Sequence, residues 1–369
     1  MDELQDKVER VVRVCHAHRL GGILLSTQAN FAWITGGRSN RIDGTRELGS
    51  GAILISAEGR RFIVANTIEM PRLLQEALVD IPCEPIEYPW VDDHRDPGTL
   101  LRLARKIATS ADIGADWPLD GAVRVDAEIV RARALLTDGE IECYRALGRD
   151  VGAAAGSLCR TLRPGISELE IARRAADATA AVGARATVAL VAADDRIARF
   201  RHPVAGSRLW ERLVMLVLCA ERDGLVVALT RLVSAGPVPL EVVSKTHATT
   251  RVFERLLDET RPGVRGRDLY AVAAAAYAHV GAPGEERRHH QGGPIGYQAR
   301  DWFAHPACNE QVQARQAFAW NPSITGTKIE DTALVIDDRI ELITTSPDWP
   351  SIEMTVRDQT LGAAAVLAT

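Results

Sequence analysis

The sequence contains very little lysine. Of its 44 basic residues only four are Lys, and the other 40 are Arg. Acidic residues outnumber basic ones, so the formal net charge is −5 at pH 7. This balance excludes the basic surface by which proteins bind nucleic acids or anionic membranes. Because lysine is so scarce, Lys328, which stands two residues before Glu330, attracts attention.

Paired cysteines and long apolar runs are also missing. The six cysteines are scattered, without the close pairs of a metal site, and we expect them to be reduced. No apolar run approaches transmembrane length, and the first residues lack the apolar centre of a signal peptide. A cytoplasmic location is therefore expected. With 369 residues, 46% of them hydrophobic, the chain is long enough for two domains.

The first 130 residues or so alternate between helix and strand patterns, which predicts an α/β layer. A helix is predicted over residues 3–19, strands over 23–26 and 31–35, and a hairpin over 52–65. The glycine-rich loop over residues 36–46 carries Arg38, Arg41 and Arg46. These could bind a carboxylate through paired hydrogen bonds, or they could be surface residues of an arginine-rich chain.

The second half contains an internal repeat. Arg163-Pro164-Gly165-Ile166 returns 98 residues later as Arg261-Pro262-Gly263-Val264. Long helices are predicted before each copy, over residues 140–162 and 241–259, and strands after each. Two copies of this unit predict a pseudo-twofold domain, in which a cleft between the halves is a natural place for a site.

A turn near the end of the repeat gathers charged residues. Asn321-Pro322 and Gly326 separate two strand-like runs, and Lys328, Glu330 and Asp331 lie beside the turn. The pattern is typical either of a site at the end of a hairpin or of a solvated turn.

Taken in order, four features resemble the peptidase M24 family of prolidases, aminopeptidase P, methionine aminopeptidases and creatinase. They are the paired Arg-Pro-Gly helices, a hairpin ending in Thr230-Arg231, a glycine-rich loop after His289-His290, and the run from Lys328 to Thr332. The resemblance implies an α+β protein with a creatinase-type N-terminal α/β domain, residues 1–136. A pita-bread catalytic domain, pseudo-twofold and α/β, would follow over residues 137–369. It also implies a homodimer and a small-molecule substrate, and it makes Arg231 a buried ion-pair partner.

The peptidases of this family carry a dinuclear metal site of two Asp, one His and two Glu. Here those positions fall on Val217, Ala228, Gly293 and Trp320, and only Glu330 matches. A catalytic metal site needs about three protein ligands. The sequence therefore predicts no metal and no other cofactor.

Creatinase, a metal-free member, implies the remaining roles. His202, in the run His202-Pro203-Val204, resembles its general acid/base, although a histidine beside proline is often structural. Glu330 matches a carboxylate that creatinase keeps, which could bind a cationic group or orient the imidazole. Thr230 stands where creatinase is acidic, which argues against creatine. The predicted substrate-binding residues are Arg38, Arg41, Arg46, Thr230, His290, Tyr297 and Trp320, with Trp320 as an aromatic wall.

Three functions follow from these residues. The first is a metal-independent, creatinase-like hydrolase or lyase that acts on a C–N or similar bond of a small, carboxylate-bearing, amino-acid-like molecule. The second is a metal-dependent Xaa-Pro aminopeptidase or dipeptidase with unusual ligands. The third is a non-catalytic pita-bread module that binds a peptide or protein.

Overall fold

The computed structural model describes residues 3–108 and 112–369. The chain folds as two compact units, Met1–Ala134 and Leu135–Thr369. Within the described ranges, no helix combines the length and the apolar character that crossing a membrane requires.

The first unit is built around a six-stranded mixed sheet, in the order β4-β3-β2-β1-β5-β6. Its elements are α1 (Glu3–His18), β1 (Leu20–Thr27), α2 (Gln28–Ile34), β2 (Leu48–Ser56), β3 (Arg61–Asn66), α3 (Met70–Arg72, continued by a π-turn to Ala77), β4 (Glu84–Tyr88), α4 (Asp92–Arg95), α5 (Thr99–Ile107), β5 (Asp112–Ala115), β6 (Val123–Arg124) and α6 (Asp126–Ala134). Helix α5 packs its apolar face against the sheet, so that Leu24, Leu54 and Leu101 share one core. The predicted first helix and the hairpin over residues 52–65 are confirmed.

The strand predicted over residues 31–35 is wrong, because residues 31–34 belong to helix α2 and Thr35 caps its end. Thr27 begins the helix: its side chain accepts a hydrogen bond from the backbone N–H of Asn30. The carboxylate of Asp116 fixes this start by accepting from Ser26 N at 2.8 Å and from Thr27 N at 3.0 Å. Phe31–Ile34 is buried throughout, and so short an apolar run has no period that separates helix from strand.

The second unit contains two four-stranded sheets flanked by helices, in the orders β18-β9-β8-β7 and β10-β11-β14-β15. Its elements are α7 (Asp138–Thr161), α8 (Glu168–Ala181), β7 (Arg185–Ala193), α9 (Arg196–Arg199), β8 (Leu213–Arg222), β9 (Leu225–Ser234), α10 (Leu240–Glu259), α11 (Gly266–His279), β10 (Gly292–Ile295), β11 (Gln316–Trp320), β12 (Ser323–Ile324), β13 (Thr327–Lys328), β14 (Asp331–Ile336), β15 (Arg339–Leu342), β16 (Ser351–Val356), β17 (Gln359–Ala364) and β18 (Val366–Ala368).

The internal repeat of the sequence is a structural repeat. Helices α8 and α11 each have 14 residues and begin 98 positions apart. Before them, Gly165 and Gly263 take left-handed φ values of 89° and 87°, a region that glycine enters without strain. Each donates its N–H to a backbone carbonyl 2.9 Å away, that of Trp210 in the first copy and that of Val312 in the second. The same kind of turn therefore precedes each of the two helices, as the pseudo-twofold prediction requires.

The two sheets meet where β9 passes β14. Thr230 N donates to the backbone carbonyl of Glu330 at 2.9 Å. Beside this contact, Arg231 and Asp331 form a salt bridge of 2.9 Å with both side chains 1% exposed. This confirms the prediction of a buried ion pair for Arg231. The bridge fixes the residue next to Glu330 against the neighbouring sheet.

Candidate functional site

Three histidines from two distant segments converge in the second unit. His202 follows the short helix α9, while His289 and His290 precede strand β10. Each offers a ring nitrogen, and these nitrogens all lie within 4.8 Å of one another. The Nε2 atoms of His202 and His289 are 3.1 Å apart, a hydrogen-bond distance. His202 is solvent-exposed and His289 is buried, so the cluster extends from the surface inward.

Neighbouring side chains hold both histidine segments in place. Arg201 donates to Ser323 Oγ at 3.1 Å and to Thr325 Oγ1 at 2.9 Å, and it forms a salt bridge with Glu285. On the other side, Gln291 Nε2 donates to the carbonyl of His289 at 2.7 Å. Arg201, which directly precedes His202, therefore ties this segment to the β12–β13 hairpin.

The histidines are neutral at pH 7. Burial is the main cause, and it lowers the pKa of His289 to about 2 and that of His290 to about 4. For His202, burial and then the charge of Lys328 lower the pKa from its ordinary value. A neutral imidazole can accept a proton, so the exposed His202 is available as a base near neutral pH.

A buried charge network lies beside the histidines. Glu330 accepts from Arg300 Nη2 at 2.8 Å and from Thr230 Oγ1 at 2.8 Å, and its Oε2 lies 3.0 Å from Lys328 Nζ. The side chains of Arg300, Lys328 and Glu330 are 7%, 4% and 2% exposed. Burial alone would raise the pKa of Glu330, but Lys328 and Arg300 lower it to about 2. The carboxylate is therefore ionised between two cations.

This network changes the role expected for Glu330. The sequence suggested that its carboxylate would bind a cationic substrate group or orient the imidazole. Protein donors instead occupy both of its oxygens. Glu330 consequently holds Lys328 and Arg300 in position. The charges of these three residues also act on His202 and His290. Lys328 and Arg300 lower the pKa of both histidines, and Glu330 opposes this by raising it.

Sequence reasoning missed two members of this network. In the sequence Lys328 stands out as a rare lysine beside the turn but receives no role in the site, and Arg300 receives none either. The scarcity of lysine was the available signal for Lys328. It is one of only four lysines, and it stands two residues before Glu330. Arg300 gave no signal, because it is one of 40 arginines and its approach to Glu330 depends on the fold.

Four polar atoms around the site are buried without a hydrogen-bond partner among the described residues. They are Arg300 Nε, His289 Nδ1, His290 Nδ1 and Asn321 Oδ1. Asn321 lies in the segment that faces Ile329 and Glu330, between the pairs Trp320↔Asp331 and Ser323↔Lys328. Such atoms are rare in folded proteins, and a bound water, an ion or a catalytic role is among the explanations for them.

Several predicted substrate-binding residues make internal contacts. Trp320 is fully buried, stacks on Phe318 and donates its indole N–H to Thr260 Oγ1 at 2.9 Å, so it belongs to the hydrophobic core rather than to an aromatic wall of a cleft. The Tyr297 hydroxyl donates to Glu140 at 2.8 Å. Thr230 acts through Glu330, as described above. His290 is the predicted binding residue that lies in the histidine cluster.

The three N-terminal arginines belong to the other unit. Arg38 lies 3.9 Å from the carboxylate of Asp80, and its side chain is 47% exposed. The backbone carbonyl of Arg46 accepts from Gln28 Nε2 at 2.8 Å. A role for Arg38, Arg41 and Arg46 in binding substrate stays a prediction.

A match to a protein-family model identifies the family of this chain. Residues 142–337 match the model of metallopeptidase family M24, which is more than half of the chain. The chain therefore belongs to the peptidase M24 family, with an N-terminal domain followed by a pita-bread domain. Comparison with curated protein sequences gives no significant match.

Solved structures of similar fold cover nearly all of both chains. The chain is similar to dipeptidase PepE from Mycobacterium ulcerans, with a TM-score of 0.78, 19% identity and 100% of each chain covered. It is similar to an Xaa-Pro dipeptidase from Bacillus anthracis, with a TM-score of 0.76, 18% identity, and 99% of this chain and 100% of that chain covered. A prolidase from Pyrococcus horikoshii OT3 gives 0.75 and 18%, with 92% and 98% covered. At these identities the likeness shows the fold alone.

The residues at the family's ligand positions do not fit a dinuclear metal centre. Val217 and Ala228 are buried apolar residues on β8 and β9, and Gly293 has no side chain. Such residues offer no ligand atom to a divalent cation. Trp320, to which the sequence assigned the fourth position, points into the core, and the neighbouring Asn321 carries an amide in place of a carboxylate. Any metal held here would need a different set of ligands, and among the residues that the structure describes the three histidines lie close enough together to provide one.

Proposed function

We propose that this protein is a hydrolase or lyase that acts on a C–N or similar bond of a small, carboxylate-bearing, amino-acid-like molecule, without the family's dinuclear metal centre. His202 would take up and return the proton. The observation that carries the proposal is the cluster of three neutral histidines beside a buried lysine–glutamate–arginine network, in a domain where Glu330 is the single match to the five family ligand positions.

His202 has the properties that proton transfer requires. Its ring is solvent-exposed, its Nε2 lies 3.1 Å from the buried His289, and its lowered pKa keeps it neutral at pH 7. In hydrolysis it would take a proton from water as the oxygen attacks the carbon of the C–N bond, and then give that proton to the leaving nitrogen. In an elimination it would take a proton from the carbon next to the C–N bond; the electrons of that C–H bond would form a C=C bond as the C–N bond breaks, and His202 would return the proton to the leaving nitrogen. His289 is a positioning residue, since its buried ring stays neutral and fixes that of His202.

Turnover of a substrate panel tests this proposal. The panel contains Xaa-Pro dipeptides, N-acyl amino acids and N-carbamoyl amino acids, and products are followed by mass spectrometry. We expect turnover of at least one carboxylate-bearing compound, and a decrease of about 10²–10⁴-fold in His202→Ala, because that is the usual contribution of a general acid/base. His247→Ala, an exposed histidine on α10, is the matched control. Full turnover by His202→Ala would refute the role of His202.

A metal-dependent Xaa-Pro peptidase is the second candidate, and the spacing of the three histidines favours it. Three neutral imidazoles are a common ligand set for zinc and other first-row transition metals. Metal analysis of protein purified without chelator, followed by turnover after treatment with EDTA, separates the two candidates. Stoichiometric Mn, Zn, Fe or Co together with loss of turnover would favour the peptidase. Turnover that survives EDTA would favour the first proposal.

A further inference from the structure

Within the described part of the chain, the lysine–glutamate–arginine network joins two cations to one carboxylate. Lys328 and Arg300 are cations, and Glu330 is the one carboxylate between them. The nearby charged pairs neutralise each other, Arg231 with Asp331 and Arg201 with Glu285. The three histidines are neutral and add nothing. Among these described groups the positive charges outnumber the negative ones by one, in a region that is almost closed to water, where an uncompensated charge is costly.

The same network has hydrogen-bond donors that the protein does not use. Arg300 is 93% buried, and its Nε is without a partner among the described residues. Lys328 has three N–H donors, and Glu330 takes one of them. Because both cations contact the carboxylate of Glu330, these donors lie within one small region. Two cationic donors in one place match the two oxygens of a carboxylate.

We propose that Lys328 and Arg300, held in place by Glu330, form the site that binds the carboxylate of the substrate. This assignment rests on the proposed function and sharpens it, since it moves carboxylate binding from the N-terminal arginines to the pita-bread domain. The surplus of one charge selects a monoanion, which a carboxylate is and a phosphate monoester is not. The buried acceptor Asn321 Oδ1, in the segment facing Glu330, would receive an N–H of an amino-acid-like ligand.

Binding of N-acetylglycine, compared with its uncharged amide N-acetylglycinamide, tests the site without any turnover. Isothermal titration at constant ionic strength measures both ligands. We expect the wild-type protein to bind the carboxylate at least about tenfold more tightly than the amide, since a charge-assisted hydrogen bond contributes that much. Equal binding of the two ligands, no binding of either, or equal competition by sulfate would each overturn the assignment.

Charge variants should change binding affinity in opposite directions for an anion site and for a cation site. Lys328→Gln removes the surplus charge and should weaken N-acetylglycine binding about tenfold or more. Glu330→Gln raises the surplus and keeps one acceptor oxygen to hold the two cations in place, so it should keep or strengthen binding. A site for a metal ion or an ammonium group would show the reverse, with Co²⁺ bound more tightly by Lys328→Gln, and that result would overturn the proposal. Lys106→Gln, an exposed lysine of the other unit, is the control.

A further pair of variants covers the case in which Glu330→Gln does not fold. Arg300→Lys keeps the positive charge and should retain selective binding of the carboxylate, whereas Arg300→Gln should lose it. Selective binding in both variants, or in neither, would overturn the assignment.

His202→Gln separates this proposal from the proposed function. It should lower turnover about 10²–10⁴-fold, as expected for His202→Ala, and leave N-acetylglycine binding unchanged. Carboxylate binding that depends on Lys328, with full turnover in His202→Ala, would refute the proposed function alone. Turnover that depends on His202, with no loss of carboxylate binding in Lys328→Gln, would refute this site alone.

Discussion

At the scale of single residues, the functional character of the site depends on which side chains keep free polar atoms. Glu330 is the family carboxylate that survives in the sequence, yet its oxygens are taken by Thr230, Arg300 and Lys328. Glu330, the residue that matches the family, is thus the counter-ion of Lys328 and Arg300. These two cations carry the hydrogen-bond donors that remain available. Sequence matching singles out this carboxylate. It could not show the occupancy of its oxygens, because Thr230, Arg300 and Glu330 come from three separate segments.

Lys328 also tunes His202, which gives a prediction that needs no substrate. Burial first and then the charge of Lys328 lower the pKa of His202 below 6.5. The imidazole is therefore neutral above that lowered value, and activity that requires the neutral ring should decline only as the pH falls through it. In Lys328→Gln we expect the pKa of His202 to rise, because a nearby positive charge is lost.

Nuclear magnetic resonance titration of the His202 Cε1–H signal measures this shift. The signal is assigned by its loss in His202→Gln, and Lys106→Gln provides the control for removal of a distant charge. An unchanged pKa of His202 in Lys328→Gln would mean that the two side chains do not interact.

At the scale of elements, the site depends on one helix that holds two loops together. The hydroxyl of Tyr277, on α11, donates to Gln291 Oε1 at 2.8 Å and accepts from the backbone N–H of Ser323 at 2.8 Å. Gln291 in turn binds the carbonyl of His289. Helix α11 therefore links the histidine segment to the hairpin that carries Lys328.

Tyr277→Phe should loosen both loops. Removing the hydroxyl leaves buried Gln291 and Ser323 atoms without this partner, so we expect the free energy of unfolding to fall by about 1–3 kcal/mol. Urea denaturation measures the change, and Tyr270→Phe on the same helix is the control. If the two variants are equally stable, the Tyr277 hydroxyl does not hold the loops together.

Element prediction from the sequence succeeded where periodicity was long and failed where it was short. Helices α8 and α11, with the left-handed Gly165 and Gly263 before them, follow the 98-residue repeat. The strand prediction over residues 31–35 fails because Phe31–Ile34 is an apolar run too short to show a helical period, and the carboxylate that fixes the start of α2, Asp116, lies 86 positions beyond Asn30. A contact of that separation leaves no local pattern.

At the scale of the whole molecule, the buried histidines make the stability of the protein depend on pH. In the unfolded chain a histidine has a pKa of about 6.5. In the folded protein the pKa of His289 is about 2 and that of His290 about 4. The unfolded state therefore binds more protons between these values and pH 6.5, so stability is complete above pH 6.5 and decreases as the pH falls below it.

The size of this effect can be measured against a variant that lacks the two rings. From pH 7.5 to pH 5.0, burial of His289 should cost about 2 kcal/mol of unfolding free energy, and that of the less buried His290 somewhat less. The double variant His289→Asn/His290→Asn should lose correspondingly less stability over the same interval, as measured by urea denaturation at both pH values. The remaining slope belongs to the other titrating groups of the chain. Equal losses in the two proteins would mean that these imidazoles are protonated in the folded state, and the neutral cluster beside Lys328 and Arg300 would then not exist.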